Sequence, residues 1–172
     1  MLSEKQITAI YKTLSRELII YLRRMTGNTD TAEDILHETF ANLIQYSETR
    51  EIDESSIRAF LYRAAHNNAV NLLKKNSRNV DLEVEKLSAS AATDNRSRDS
   101  EEIEAEELNR RVYKYLDSID PTDRSIFIMH KELGKTHVQI ASDLNISERT
   151  VRRKMKAILS DIYDTLQKDG FI

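Results

Sequence analysis

Apolar positions recur at helical spacing along most of this chain. Ile7, Ile10, Tyr11, Leu14, Leu18, Tyr21, Leu22 and Met25 form one stripe. That spacing of three and four predicts a first helix. Ser3 and Gln6 before it make a capping box, with Leu2 and Ile7 placed as a hydrophobic staple. Gly27 suits its end. A second helix is predicted from Asp30, with Glu33 three residues on, and Ala32, Ile35, Leu36, Phe40, Leu43 and Ile44 turned inward. Its outward face is then Glu33, Asp34, His37, Glu38, Ala41 and Gln45. After a polar loop, Ser55 or Ser56 opens a third helix with Ile57, Phe60, Leu61, Ala64, Leu72 and Leu73 on its inner side.

The pattern then breaks. Residues 76 to 100 hold few large apolar side chains, and Ser88 to Ser100 are small and polar. A flexible linker is predicted there, with Leu82, Val84 and Leu87 as a short helix or docking patch within it. Helical spacing resumes near Glu101, whose neighbouring acids favour the positive end of a helix dipole. Ile103, Leu108, Val112, Tyr115 and Leu116 follow. Asp120 and Pro121 predict the cap and first turn of a fifth helix. Gly134 ends it.

The stretch from Thr136 to Leu159 predicts two helices around a tight turn. Thr136 and Gln139 repeat the capping-box pattern. Val138, Ile140, Ala141 and Leu144 give the first of the two a buried side. Asn145 sits at the turn, where a left-handed conformation is tolerated by Asn better than by most residues. Ser147 caps the second, and Val151, Met155, Ile158, Ile162 and Leu166 form its apolar stripe. Ala141, Asn145 and Val151 thus fall at the spacing of a helix-turn-helix. The opposite face carries Arg149, Arg152, Arg153, Lys154 and Lys156, with no acid from Arg149 to Ser160. Such a helix fits a DNA major groove, where cations meet phosphates and guanine edges.

Composition agrees with an all-α fold. Of 172 residues, 40% are hydrophobic, and there are only three glycines and one proline. No cysteine is present, which removes disulfide and thiolate chemistry and fits a reducing cytoplasm. No apolar run reaches membrane-spanning length, so membrane insertion is not expected. Net charge is −3, yet its distribution matters more than its sum. Residues 55 to 80 contain no acid, whereas Asp81 to Asp120 hold twelve acids against six bases. Two basic elements therefore flank an acidic middle, a pattern suited to two nucleic-acid contacts. The third helix supplies the first: Arg58, Tyr62, Arg63, Asn67, Asn68, Asn71, Lys74 and Lys75 offer cations, amides and a ring. Amides read base edges and a ring stacks on an unpaired base.

Thr31 to Ile44 (TAEDILHETFANLI), Arg58 to Lys75 (RAFLYRAAHNNAVNLLKK) and Ile119 to Leu159 together resemble the extracytoplasmic-function (ECF) group of the sigma-70 family of bacterial RNA polymerase sigma factors. The resemblance implies region 2 over 1–78, a linker over 79–100 and region 4 over 101–172. It implies that the outward face of the second helix (Glu33, Asp34, His37, Glu38, Ala41, Gln45) docks on the clamp helices of the polymerase β′ subunit. The third helix would bind the minus-ten promoter element and hold a flipped base. Ser147, Glu148, Arg149, Thr150, Arg152, Arg153 and Lys156 would meet the minus-35 element as duplex. Further implied partners are the β flap, promoter DNA and an anti-sigma factor. His37, Phe60, Asn71, Lys74, Gln139 and Asn145 depart from residues common in the family, which bears on promoter preference rather than class.

Other classes fit less well. The histidines His37, His66, His130 and His137 lie on different predicted elements without ligand spacing, and no phosphate loop or nucleophile motif appears. No catalytic residue, metal or cofactor is therefore expected. A helix-turn-helix regulator acting without polymerase is the main alternative, and a helical protein-interaction module a further one.

Overall fold

The computed structural model describes residues 1–79 and 100–172. Seven α-helices account for nearly all of them: α1 (Glu4–Thr26), α2 (Thr29–Thr49), α3 (Glu54–Asn79), α4 (Ser100–Ser118), α5 (Pro121–Lys131), α6 (His137–Leu144) and α7 (Glu148–Lys168). No strand occurs among the described residues. Of the linker reading over 79–100, Asn79 ends α3 and Ser100 opens α4, while residues 80–99, with Leu82, Val84 and Leu87, lie outside the described residues.

Most helix ends follow the sequence signals. Ser3 and Gln6 cap α1 reciprocally, with Gln6 Oε1 accepting from the Ser3 N–H at 2.9 Å. Thr136 and Gln139 do the same for α6, again at 2.9 Å. Asp120 accepts from the Thr122 N–H at 2.8 Å, with Pro121 in the first turn of α5. The second helix is the exception. Asn28 caps it, accepting from Thr31 N at 2.9 Å, so α2 begins at Thr29 rather than after Asp30. The Gly27–Asn28 pair thus ends one helix and starts the next. In the third case α3 begins at Glu54, one residue before the expected serines.

Apolar stripes bury as spacing demands. Leu14, Leu18, Tyr21, Leu22 and Met25 of α1 meet Ala32, Ile35, Leu36, Phe40 and Leu43 of α2. Every member of the α7 stripe is buried. Four expected positions are not: Tyr11 and Ile103 are exposed near the ends of their stripes, and Ile44 and Val138 fall outside the core as well. Ile44 is 37% exposed on the polar face of α2, and Val138 is 60% exposed in the first turn of α6. Val138 precedes the turn that reaches the core, and Asp143 occupies a buried α6 position instead.

The fold is the all-α arrangement of two helical bundles expected on either side of the linker, and helices from the two sides pack on one another. Helix α3 packs on α1 and α2 with one side and on α5 and α6 with the other. A single hydrophobic core runs from Leu14 to Leu166. Sandwiched this way, α3 buries Ile57, Leu61, Tyr62, Ala65, Ala69 and Val70, a wider band than its apolar stripe alone. Tyr62, expected on the polar side, is wholly inside.

Asn145 takes φ 56° and ψ 45°, the left-handed conformation the tight turn requires. Its N–H is directed at the Ala141 and Ser142 carbonyls, groups left over at the end of α6. A β-branched residue there pays about 1–2 kcal/mol for that backbone. Asn145→Val should therefore unfold at lower denaturant than Asn145→Gly by about that free energy, measured by circular dichroism. Equal midpoints would show that the turn adopts another conformation in solution.

Candidate nucleic-acid interface

Helix α7 presents its basic face as the spacing predicts. Ser147 caps it, accepting from Thr150 N at 3.1 Å, with the two hydroxyls 2.8 Å apart. Arg149, Arg152, Arg153 and Lys156 are exposed. Arg152 lies along Glu148, with Nε–Oε1 at 2.8 Å. Such a surface pair one turn apart contributes only about 0.3–0.5 kcal/mol, so Arg152 is cheaply released. Lys154 turns inward and pairs with Asp123 of α5 at 2.5 Å, separating it from the free cations. Arg149, Arg153 and Lys156 carry no ion pair among the described residues.

The α3 candidates divide into two groups. Asn67, Asn71, Lys74 and Lys75 are exposed toward the C-terminal half of the helix. Asn68 is half-buried, and its Nδ2 has no hydrogen-bond partner among the described residues. Toward the N-terminal end the candidates are engaged. Arg58 Nη2 meets both carboxylate oxygens of Glu17 on α1, at 2.5 and 2.8 Å. The Tyr62 hydroxyl donates to the same carboxylate. Arg63 Nη2 donates to the Ser142 carbonyl of α6 at 3.3 Å. The Tyr62 ring is wholly buried, so it is closed to a base in this arrangement.

Several residues that organise this region were not singled out by spacing. Lys135, between α5 and α6, is only 4% exposed. Its Nζ lies 2.5 Å from Asp143 Oδ2, 3.8 Å from Glu17 Oε1 and 3.5 Å from the centre of the Tyr62 ring. Burial pulls its pKa down, while the Asp143 carboxylate opposes that fall. Burial, and then the hydrogen bond to Glu17, push the Tyr62 hydroxyl well above its usual range. Arg124 on α5 is also buried; its guanidinium donates to Met25 O of α1 at 2.8 Å and to Leu116 O at 3.0 Å. The sequence signals are slight: Lys135 follows the turn glycine Gly134, and Arg124 lies just before the apolar run from Ile126 to Met129.

The outward face of α2 is as expected. Glu33, Asp34, His37, Glu38, Ala41 and Gln45 are all exposed, and Glu33 makes a loose 3.5 Å contact with Arg23. No group of three or more potential metal ligands gathers among the described residues. His130 and His137 do come together, ring centres 4.9 Å apart, with His130 Nδ1 2.8 Å from Lys135 O. No described helix is long and apolar enough to cross a membrane.

His66 forms a closed polar triangle. Its Nδ1 lies 3.1 Å from both Tyr21 Oη of α1 and Ser125 Oγ of α5, and the two hydroxyls are 2.8 Å apart. Each hydroxyl can both donate and accept, so Nδ1 is satisfied whether or not it carries the ring proton. Burial lowers the His66 pKa from 6.5 to about 4; Asp120 opposes this and Lys74 adds to it. The ring is thus neutral when folded and takes a proton when exposed below its ordinary pKa. Its stabilising contribution is present above that value and is lost as pH falls toward 4. Melting temperature should drop between about pH 6.5 and pH 4, at up to about 1.4 kcal/mol per pH unit from this one group. His66→Gln should melt with a flatter pH dependence over that window; an unchanged slope would show that other groups set it.

Compared with known families, residues 10–79 match Sigma-70 region 2 and residues 109–162 match Sigma-70, region 4. The first match spans most of α1 with α2 and α3, and the second runs from the middle of α4 into α7. No curated protein matches the chain.

Proposed function

Because the chain belongs to the ECF group of the sigma-70 family, a family of promoter-recognition factors in transcription initiation rather than enzymes, we propose that it binds core RNA polymerase and directs it to promoters by contacts from both halves. The observation that carries this is the pairing of two family regions with two basic faces. Region 2 carries the amide-rich and basic side of α3, and region 4 the exposed cations of α7. On this reading α7 enters the major groove of the minus-35 element, with Ser147, Glu148, Arg149, Thr150, Arg152 and Arg153 near the bases and Lys156 on a phosphate. Helix α3 takes the minus-ten element as single strand, with Asn67, Asn68 and Asn71 reading edges and Arg58, Arg63, Lys74 and Lys75 on the backbone. Tyr62 stacks an unpaired base once it is uncovered. Core polymerase docks on the α2 face through its β′ clamp helices, with the β flap on region 4. An anti-sigma factor is a further expected partner, and the cytoplasm the expected setting.

Run-off transcription with purified core polymerase on genomic fragments tests the reading. Discrete start sites that need the protein support it. Tight duplex binding without polymerase, and no transcription with it, would instead identify a helix-turn-helix regulator. Within the holoenzyme, Arg149→Ala and Arg152→Ala should each erode the upstream footprint, since a good arginine–guanine contact is worth about 1–3 kcal/mol of discrimination. Normal footprints from both would move the reading face elsewhere.

The α2 face generates a separate expectation. Its charges are exposed and serve no part of the core, so changing them should alter stability by no more than about 0.5 kcal/mol. Asp34→Arg with Glu38→Arg inverts two charges toward a basic partner, and like-charge contact there costs several kcal/mol. The double variant should keep its melting temperature and lose co-purification with core polymerase. A folded variant that still binds would sink the docking assignment.

A further inference from the structure

His130 and His137 lie on different helices, and the turn between α5 and α6 brings their rings together. We propose that this pair binds one imidazole-seeking divalent metal ion, zinc or its neighbours nickel and copper, at the corner where α5 leads into the helix-turn-helix. The proposal stands apart from the sigma-factor reading.

Three observations carry it. The first is distance. The ring centres are 4.9 Å apart, with the planes inclined at 36°. Imidazole nitrogens bind zinc at about 2.0–2.1 Å, so two rings side by side on one ion have centres about 4.5–5.2 Å apart. The backbone already sets that separation, and ring rotation completes the site. The second is the proton. His130 Nδ1 lies 2.8 Å from the Lys135 carbonyl oxygen, which can only accept, so Nδ1 carries the hydrogen. In the neutral ring Nε2 is then bare, with its lone pair free for an ion. A backbone carbonyl on the far nitrogen is a common way for proteins to orient a metal-binding histidine. The third is access. Neither His130 Nε2 nor either His137 nitrogen has a hydrogen-bond partner among the described residues. Both side chains are half-buried, within reach of solvent. Ring stacking accounts for the distance alone; it does not call for the fixed tautomer.

The donor set selects the ion. Imidazole suits zinc, copper and nickel, whereas magnesium and calcium take oxygen ligands. Two side chains leave the other positions to water, so the ion exchanges with solvent and binds reversibly. The end of α5 favours a cation through its dipole and the start of α6 opposes one, so the helix ends roughly offset each other. The bound ion ties the last turn of α5 to the first residue of α6 across Gly134 and Lys135. It thereby stabilises the corner that sets the direction of α6.

The full-length protein without an affinity tag, stripped of metal at about pH 8, above the ordinary imidazole range, provides the test. Zinc chloride should raise the melting temperature by about 3–6 °C once free zinc stands about tenfold above its dissociation constant. A chelator should reverse the rise, and magnesium chloride should produce none. His130→Gln and His137→Gln should each abolish it, and Gln at position 130 can still donate to the Lys135 carbonyl. Ring-nitrogen NMR reads the site directly, since the chain has four histidines. Before zinc is added, His130 should carry its proton on Nδ1. Zinc should then move the ring signals of His130 and His137 and leave those of His37 and His66 in place. No stabilisation by zinc, a rise that survives both substitutions, or an Nε2–H tautomer at His130 would each overturn the proposal. If His130→Gln fails to fold, His137→Gln and the wild-type ring signals still decide. These readouts need neither polymerase nor DNA, so their outcome is separate from run-off transcription, which tests the sigma-factor reading itself.

Discussion

A charged ammonium with almost no access to water sits at the centre of this structure. Removing Lys135 from solvent costs several kcal/mol unless partners replace the water. Asp143 provides the close partner at 2.5 Å, and Tyr62 and Glu17 provide a ring face and a second carboxylate from the other half. Three segments are thereby constrained together. Asp143 must sit on the inner side of α6, Tyr62 on the inner side of α3, and Glu17 toward the far end of that same contact. Glu17 in turn holds Arg58. Disturbing one member leaves a buried charge short of partners, so the cluster rearranges as a unit.

That constraint explains why the helix-turn-helix is turned as it is. Its first helix spends one side on Ile140, Ala141 and Leu144 and another on α3, which leaves α7 to face outward. The reciprocal caps at Thr136 and the left-handed Asn145 set the angle between α6 and α7. The α7 stripe then anchors the helix on α5 and α6, and its cations fall on the open side. Local backbone chemistry thus decides the shape of the helix-turn-helix, and the buried polar cluster decides what else it touches.

Much of this was legible in residue order. Helix positions, the caps at Ser3, Thr136, Ser147 and Asp120, the turn at Asn145 and the exposed faces of α2 and α7 all depend on neighbours within a few positions. Periodicity reports such features directly. Asn28 displaced Asp30 as a cap because both are good caps, and the Gly27 end of α1 selects the nearer. What residue order concealed is the second packing side of α3. Tyr62 and His66 look polar, and their burial depends on Lys135 and Ser125, which lie about sixty to seventy positions away in the chain. Val138 and Ile44 failed the other way. Each is apolar and near a stripe, yet a helix of modest length shows its core only so many positions. An apolar residue on the surface is ordinary, whereas a buried lysine is not.

The polar character of α3 can therefore be read as one solution to two demands. On the nucleic-acid reading proposed for α3, an apolar cover over its cations and amides would strip their water without replacement. A helix left bare would offer those same cations to any polyanion. Groups on α5, α6 and the turn between them resolve the conflict in kind: a carbonyl for Arg63, a hydroxyl for His66, a cation for the Tyr62 ring. Each mimics something a nucleic acid or water could supply in its place. A carbonyl oxygen stands where a phosphate oxygen could accept, and an ammonium lies over the ring where a base could stack.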